Sequence, residues 1–145
     1  MSTVDQLLCV KGRHVHTISK TATVFEAIGR MVAHDVGALL VLDGSEPCGI
    51  ITERDYLKKV AIEGRSSKTT DVREVCSENL IWVEPGSSVE ECMALMTEER
   101  IRHLPVLDGH ELVGLVSIGD VLRHLALDRQ STILELTGYI QGQYA

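Results

Sequence analysis

Residues 49–55 read GIITERD, and residues 114–120 read GLVSIGD, an offset of 114 − 49 = 65 positions. Each stretch has a glycine, two aliphatic residues, a hydroxyl, two variable residues and an aspartate, in that order. This order predicts a buried strand that leads directly into a helix with a hydroxyl and a carboxylate at its start. The chain therefore carries the same strand-to-helix junction twice.

The similarity extends well beyond the two junctions. At the same offset, residues 39–44 (LLVLDG) correspond to residues 104–109 (LPVLDG). The correspondence needs no gap between residues 15–61 and residues 80–126, and the hydrophobic pattern stays in phase throughout. A period of this length exceeds that of an ordinary solenoid. We therefore predict two copies of one small unit.

The composition is that of a globular protein with an aliphatic core. Hydrophobic residues make up 44% of the 145 residues, and aromatic residues only 3%. A net charge of −7 argues against sequence-independent nucleic-acid binding, which requires a basic surface. No apolar run approaches the ~20 residues of a membrane-spanning helix. No secretory signal is visible, so we expect a cytoplasmic protein.

Local patterns predict the same elements in both copies. Thr23 and Ser88 each precede an apolar helical pattern and have a glutamate three residues later, the arrangement of a helix N-cap. Asp-Gly pairs at residues 43–44 and 108–109 predict hairpin turns. Short helical turns are expected at residues 3–8 and 71–76, strands at residues 15–18, 37–42, 49–51, 80–83, 103–107 and 114–116, and helices after the junctions at about residues 53–62 and 118–127.

The order strand, helix, strand, strand, helix in each copy predicts an α/β (α+β) fold. We expect the first repeat over residues 1–66, the second over residues 67–127 and a helical tail over residues 128–145. In this tail, the spacing of Ile133, Leu136 and Ile140 predicts an amphipathic helix that ends near Gly142.

These motifs resemble the CBS domain family, whose repeat is β-α-β-β-α with the signature G-h-h-[ST]-x-x-D. The resemblance covers the chain from about Val4 to Leu127, and both signatures are complete. Residues 51–56 (ITERDY) and 101–106 (IRHLPV) resemble stand-alone bacterial CBS-domain signal-transduction proteins. The resemblance implies two repeats packed as a pseudo-two-fold Bateman module. It also implies an adenine-nucleotide ligand such as AMP, ADP or ATP, with NAD or S-adenosylmethionine as alternatives.

The hydroxyl and the carboxylate of each junction suit a nucleotide. Thr52 and Ser117 can cap their helices or bond a phosphate oxygen, because a helix N-terminus attracts anions. Asp55 and Asp120 can accept hydrogen bonds from the hydroxyls of a ribose. The alternative is that all four residues are only helix caps, since such residues are common at helix starts.

Each predicted site has one nearby arginine, at a different position in each copy. Arg54 lies within the first junction, where the second copy has Gly119. Arg102 and His103 precede a strand of the second copy. Arginine binds phosphate through two parallel hydrogen bonds. These cations could also be ordinary solvated surface charges.

By analogy with the family, the adenine is expected in an apolar slot between the repeats, with base contacts made largely by the backbone. The implied slot residues are Thr21, Ala22 and Ala27 with Leu115, and Ser87 and Cys92 with Ile50.

The predicted function is that of a regulatory binding module. No nucleophile with a base and an orienting group is evident, no cofactor is required, and no metal site is predicted from the scattered histidines and cysteines. The resemblance implies a homodimer formed through the helices, and an unknown downstream protein would receive the output. The alternative is an oligomerisation or protein-interaction scaffold whose sites hold no ligand.

Overall fold

The computed structural model describes residues 2–78 and 80–140. Helices and strands follow one another much as the sequence predicts. In chain order they are α1 (Val4–Lys11), β1 (Thr17–Ser19), α2 (Val24–His34), β2 (Ala38–Asp43), β3 (Glu46–Thr52), α3 (Glu53–Tyr56), a π-helical turn (Leu57–Ala61), a 3₁₀ turn (Val72–Glu74), α4 (Val89–Glu99), β4 (His103–Asp108), β5 (Glu111–Ser117) and α5 (Ile118–Ile140).

Both copies form the predicted hairpin. Strands β2 and β3 pair antiparallel, as do β4 and β5, and the glycine of each Asp-Gly turn has a positive φ. The register shifts once in each hairpin, after Val41 in the first and after Val106 in the second. These two residues are 106 − 41 = 65 positions apart. The repeat in the sequence is therefore a repeat of backbone geometry.

The strand predicted at residues 80–83 is confirmed only at one residue. In the first copy, β1 pairs parallel with β2, and Leu40 N donates to His16 O. The second copy has Pro105 at the corresponding position, and proline has no N–H to donate. Only Val83 therefore forms a bridge to Val106, and no regular strand develops.

The helices begin at the predicted caps. The hydroxyls of Thr23 and Ser88 accept hydrogen bonds from the N–H groups of Glu26 and Glu91. The junction helix of the first copy continues from α3 into the π-helical turn, and that of the second copy runs without a break into the predicted tail as α5. The predicted helix end near Gly142 lies outside the described residues, and so does the burial of the tail side chains.

Each half of the chain completes the core of the other half. Helix α1 packs Val4, Leu7 and Leu8 into the core of the second repeat. In return, Val72 and Val75 pack into the core of the first repeat. The helical turns predicted at residues 3–8 and 71–76 are thus present, but each one packs against the opposite repeat. The boundaries at residues 66 and 127 stay predictions.

The faces of the two sheets that point away from these cores are also buried. Leu39 and Val41 belong to the first core, so Leu40 between them faces the opposite side, yet it has no exposed surface. Pro105 is its buried counterpart in the second repeat. Both sheets are therefore buried on two faces at this position, in the mixed helix and strand architecture of two CBS-type repeats. None of the helices within residues 2–78 and 80–140 has the length and apolar character needed to cross a bilayer.

Candidate functional site

The glycine that opens each junction is required by a close approach of another segment. A Cβ atom on Gly49 would lie 2.3 Å from the carbonyl oxygen of Ser77, whose backbone pairs with that of Ile50. A Cβ atom on Gly114 would lie 2.8 Å from the Leu8 side chain. The backbone neighbour of Gly49 cannot move aside, whereas a Cβ on Gly114 would require the buried Leu8 side chain to shift. Each junction is therefore held against the helical turn that the other half supplies.

Thr52 and Asp55 form a reciprocal capping box at the start of α3. Thr52 Oγ1 accepts a hydrogen bond from Asp55 N at 3.2 Å, and Asp55 Oδ2 accepts one from Thr52 N at 2.9 Å. The capping role is therefore present. It does not use the hydroxyl proton of Thr52 or the second carboxylate oxygen of Asp55, so both remain able to bond a ligand.

Two cations lie beside this first junction. Arg54 is exposed, and within residues 2–78 and 80–140 its side chain forms no hydrogen bond or ion pair. Lys59, which the sequence analysis did not single out, comes from the π-helical turn. Its Nζ lies 3.6 Å from Asp55 Oδ1 and donates to Val75 O at 2.9 Å. The first junction thus combines a free guanidinium with a carboxylate whose Oδ1 is only loosely paired.

The second junction has the same capping box. Ser117 Oγ accepts from Asp120 N at 3.1 Å, and Asp120 Oδ2 accepts from Ser117 N at 2.9 Å. Here, however, Lys11 Nζ also donates to Asp120 Oδ2, and Arg123 donates to Asp120 Oδ1 at 2.8 Å. Both oxygens of this carboxylate are therefore bonded, and its side chain is only 8% exposed.

The charges around Asp120 shift the pKa values of this junction. Burial alone would raise the pKa of Asp120, but the hydrogen bonds from Lys11 and from the Ser117 N–H hold that pKa below its ordinary value. Burial lowers the pKa of His103, and the positive charges of Lys11 and Arg102 lower it further. His103 is therefore a neutral imidazole at neutral pH, while Asp120 is a carboxylate.

The structure brings His103 next to the second junction, because β4 pairs it opposite Ser117. Arg102 lies beside it with an exposed side chain. Sequence reasoning missed Lys11 and Arg123 as partners of Asp120. The spacing of three residues between Asp120 and Arg123 on a helix is a local signal that could have identified one of them. Lys11 has no such signal.

Two of the seven residues assigned to the adenine slot are fully buried in the hydrophobic cores. Ala27 and Cys92 have no exposed surface and lie inside the first and the second core, respectively. A role for either residue in the adenine slot stays a prediction. The other five have exposed or partly exposed side chains: Thr21, Ala22, Ile50, Ser87 and Leu115.

The buried cysteine of α4 carries a protonated thiol. Burial, together with the nearby Glu91 and Glu90, raises the pKa of the Cys92 thiol to about 11, so it is not a thiolate at neutral pH. Among the described residues, no group of three or more histidine, cysteine, aspartate or glutamate side chains is arranged to hold a metal ion.

Comparison with known proteins assigns the family. The CBS domain model matches residues 10–62 and 72–127. The CBS domain-containing protein CBSX3, mitochondrial, of Arabidopsis thaliana is 46% identical over 127 residues. That match covers 84% of this chain but 62% of the relative, so the chain spans less than two thirds of the relative's length.

Solved structures agree with this assignment. A protein with CBS domains from Burkholderia ambifaria MC40-6 has a TM-score of 0.85 and 49% identity, with 88% of this chain and 96% of that chain covered. A hexameric CBS-CP12 protein from bloom-forming cyanobacteria has a TM-score of 0.76 and 32% identity, with coverage of 84% and 70%. CBS domain pairs are generally regulatory, ligand-binding modules. The chain is a pair of CBS domains and belongs to the CBS domain family.

Proposed function

We propose that this chain is a regulatory module that binds an adenine nucleotide of the AMP, ADP or ATP type at its strand-to-helix junctions. The observation that carries this proposal is the chemistry of the first junction. There a partly buried carboxylate, Asp55, keeps one oxygen without a hydrogen bond, and an exposed Arg54 next to it has no partner among the described residues. A carboxylate oxygen such as that of Asp55 can accept hydrogen bonds from ribose hydroxyls, and a guanidinium such as that of Arg54 can bind a phosphate.

At the first junction, each group has a separate task. Asp55 Oδ1 accepts hydrogen bonds from the ribose hydroxyls. The Thr52 hydroxyl accepts the helix N–H and donates its own proton to a phosphate oxygen, and Arg54 binds the same phosphate. The adenine lies against Ile50 and against the chain segment at Ser87, where backbone groups recognise it.

The second junction offers a related set of groups with a different charge. Ser117 and Asp120 take the places of Thr52 and Asp55, and Arg102 and His103 provide the polar side chains on the neighbouring strand. The adenine lies against Leu115 and the segment at Thr21 and Ala22. Because Asp120 is already bonded by two cations, we assign the tighter binding to the first junction.

Binding between two packed repeats can transmit a signal when the nucleotide prefers one relative arrangement of them. The output would pass to a partner protein. A homodimer would join through the helices, where a cleft of about 340 Å³ between α2 and the α3 region is lined mostly by apolar residues such as Val32 and Leu57 and also by Asp35 and Glu53. The side chains of Val32 and Leu57 are both exposed.

The hexameric relative shows that other assemblies occur among CBS proteins. A cytoplasmic location stays a prediction, and the Arabidopsis relative is named as mitochondrial.

A second candidate is an interaction scaffold whose junctions hold no ligand. The capping boxes favour it, because they satisfy Thr52, Asp55, Ser117 and Asp120 in part without any bound molecule. Under this alternative, removal of Arg54 would leave oligomerisation and partner binding unchanged.

Titration calorimetry with AMP, ATP, NAD and S-adenosylmethionine tests the proposal. We expect binding of at least one adenine nucleotide, and a loss of affinity of roughly tenfold or more in Asp55→Asn, because an NH2 group that cannot accept from the ribose hydroxyls replaces Oδ1. Asn keeps an oxygen that can accept the Thr52 N–H, so the helix cap is retained.

Asp71→Asn is the matched control, because Asp71 takes part in another capping box, at the 3₁₀ turn. Its affinity should equal that of the parent. The proposal fails if none of the four compounds gives heat or a thermal shift. A ribose role for Asp55 is excluded if Asp55→Asn binds as tightly as the parent.

A further inference from the structure

The two junctions differ in one contact that crosses between the halves. Lys11, the last residue of α1, extends its ammonium group to the second junction. Its Nζ donates to Leu115 O at 2.6 Å and also to Asp120 Oδ2. One cation therefore bridges the carboxylate and a backbone carbonyl of the strand that leads to it.

The first junction has no equivalent bridge. Its lysine, Lys59, donates to Val75 O and lies 3.6 Å from Asp55 Oδ1, a distance too long for a hydrogen bond. The carbonyl of Ile50 accepts the backbone N–H of Ser77 instead. Asp55 is consequently 18% exposed at its side chain, against 8% for Asp120.

The position of Lys11 is set by the packing of its helix. Leu8, one turn earlier, lies over Gly114 and has no exposed surface. The Lys11 side chain itself is 31% exposed, so it can leave Asp120 for solvent without unpacking Leu8. The Lys11 side chain can therefore move while the helix that carries it stays packed.

We infer that Lys11 gates the second junction and makes the two nucleotide sites unequal. This inference rests on the proposed function, because it concerns the same ribose-binding carboxylates. A ribose that bonds Asp120 must displace Lys11 from Oδ2 or Arg123, whose side chain is 73% exposed, from Oδ1. A ribose that bonds Asp55 replaces no hydrogen bond on Oδ1. The first junction fills before the second, and filling the second frees the last turn of α1.

The test is calorimetry of Lys11→Met with AMP. Methionine keeps a long apolar side chain but cannot bond Asp120 or Leu115 O. If the lysine occupies Asp120 about nine tenths of the time, its removal raises the affinity of the weaker site ~10-fold. The affinity of the tighter site should not change. Lys68→Met removes an exposed lysine near Phe25 and is the matched control.

A measurement on the parent protein accompanies the variant. Saturating AMP should speed amide hydrogen exchange in the last turn of α1, around Lys11, and leave the last turn of α2 unchanged. Equal affinities in Lys11→Met and the parent, or a weaker second site in the variant, would overturn the gate while leaving nucleotide binding intact. If AMP binds neither protein, the proposed function and the gate fall together.

Discussion

At the scale of single residues, the two junctions show why a short motif needs each of its positions. The glycines permit another segment to pass within contact distance, and the hydroxyl and aspartate close a capping box in both copies. These are structural roles, and they leave free the groups that a nucleotide would use. One set of residues can therefore serve folding and binding together.

Replacement of Gly49 by alanine should lower the free energy of unfolding by about 1–3 kcal/mol, the usual cost of overpacking. The new Cβ would lie 2.3 Å from Ser77 O, and this neighbour is backbone that cannot turn aside. Gly29→Ala is the control, because a Cβ there meets nothing within 4 Å.

Gly29 lies within α2, so its replacement should instead stabilise the protein by about 0.5–1 kcal/mol. Urea unfolding of both variants measures the difference. Equal effects of the two substitutions would show that the close approach at Gly49 has no energetic weight.

At the scale of elements, a row of histidines joins the segment before β1 to the end of α2. The His16 ring stacks on His34 with 4.1 Å between ring centroids, and it meets the His14 ring in a T-shaped contact with 4.5 Å between centroids. On the same helix, Arg30 donates to the carbonyl of Thr17. Burial, followed by the neighbouring His34 and His14, lowers the pKa of His16 below 6.5.

This lowered pKa predicts a loss of stability in mild acid. Above pH 6.5 the His16 imidazole is neutral in both the folded and the unfolded chain, so the contribution of the histidine row to the free energy of unfolding is fully present. As the pH falls below 6.5, the unfolded chain takes up the proton first, and unfolding becomes more favourable.

Unfolding followed between pH 7.5 and about pH 5.5 should therefore show a shallower pH dependence in His16→Gln than in the parent. His110→Gln, which removes an exposed histidine at a hairpin turn, should retain the parental slope. The same slope in all three proteins would rule out a contribution from the histidine row.

The elements themselves were largely predictable, because their signals are local. The Asp-Gly turns and the caps at Thr23 and Ser88 each involve residues only a few positions apart. The sequence of residues 80–83 does not by itself reveal that no regular strand forms there. The reason lies on the neighbouring strand, where Pro105 has no N–H group to donate. The contact between Lys11 and Asp120 shows the same limit, because the two residues lie 109 positions apart.

At the scale of the whole molecule, the exchange of helical turns decides how the halves depend on each other. Leu8 has no exposed surface and belongs to the core of the second repeat. Leu8→Ala should therefore cost about 2–5 kcal/mol and reduce amide protection first in β4 and β5.

Val75→Ala is the reciprocal variant, because Val75 is buried in the core of the first repeat. It should reduce protection first in β2 and β3. Hydrogen exchange followed by mass spectrometry measures both. If Leu8→Ala reduced amide protection first in the first repeat, the reciprocal packing of the helical turns would be contradicted.

This reciprocity also sets the smallest piece that can fold. A single repeat cut from the chain would keep a helical turn that packs only against the other repeat. It would also expose the apolar groove that the helical turn of the other repeat normally fills. Only another copy in the complementary role could fill that groove. The smallest unit that can fold independently is therefore the pair of repeats. A stable fold of this kind requires two copies of the unit.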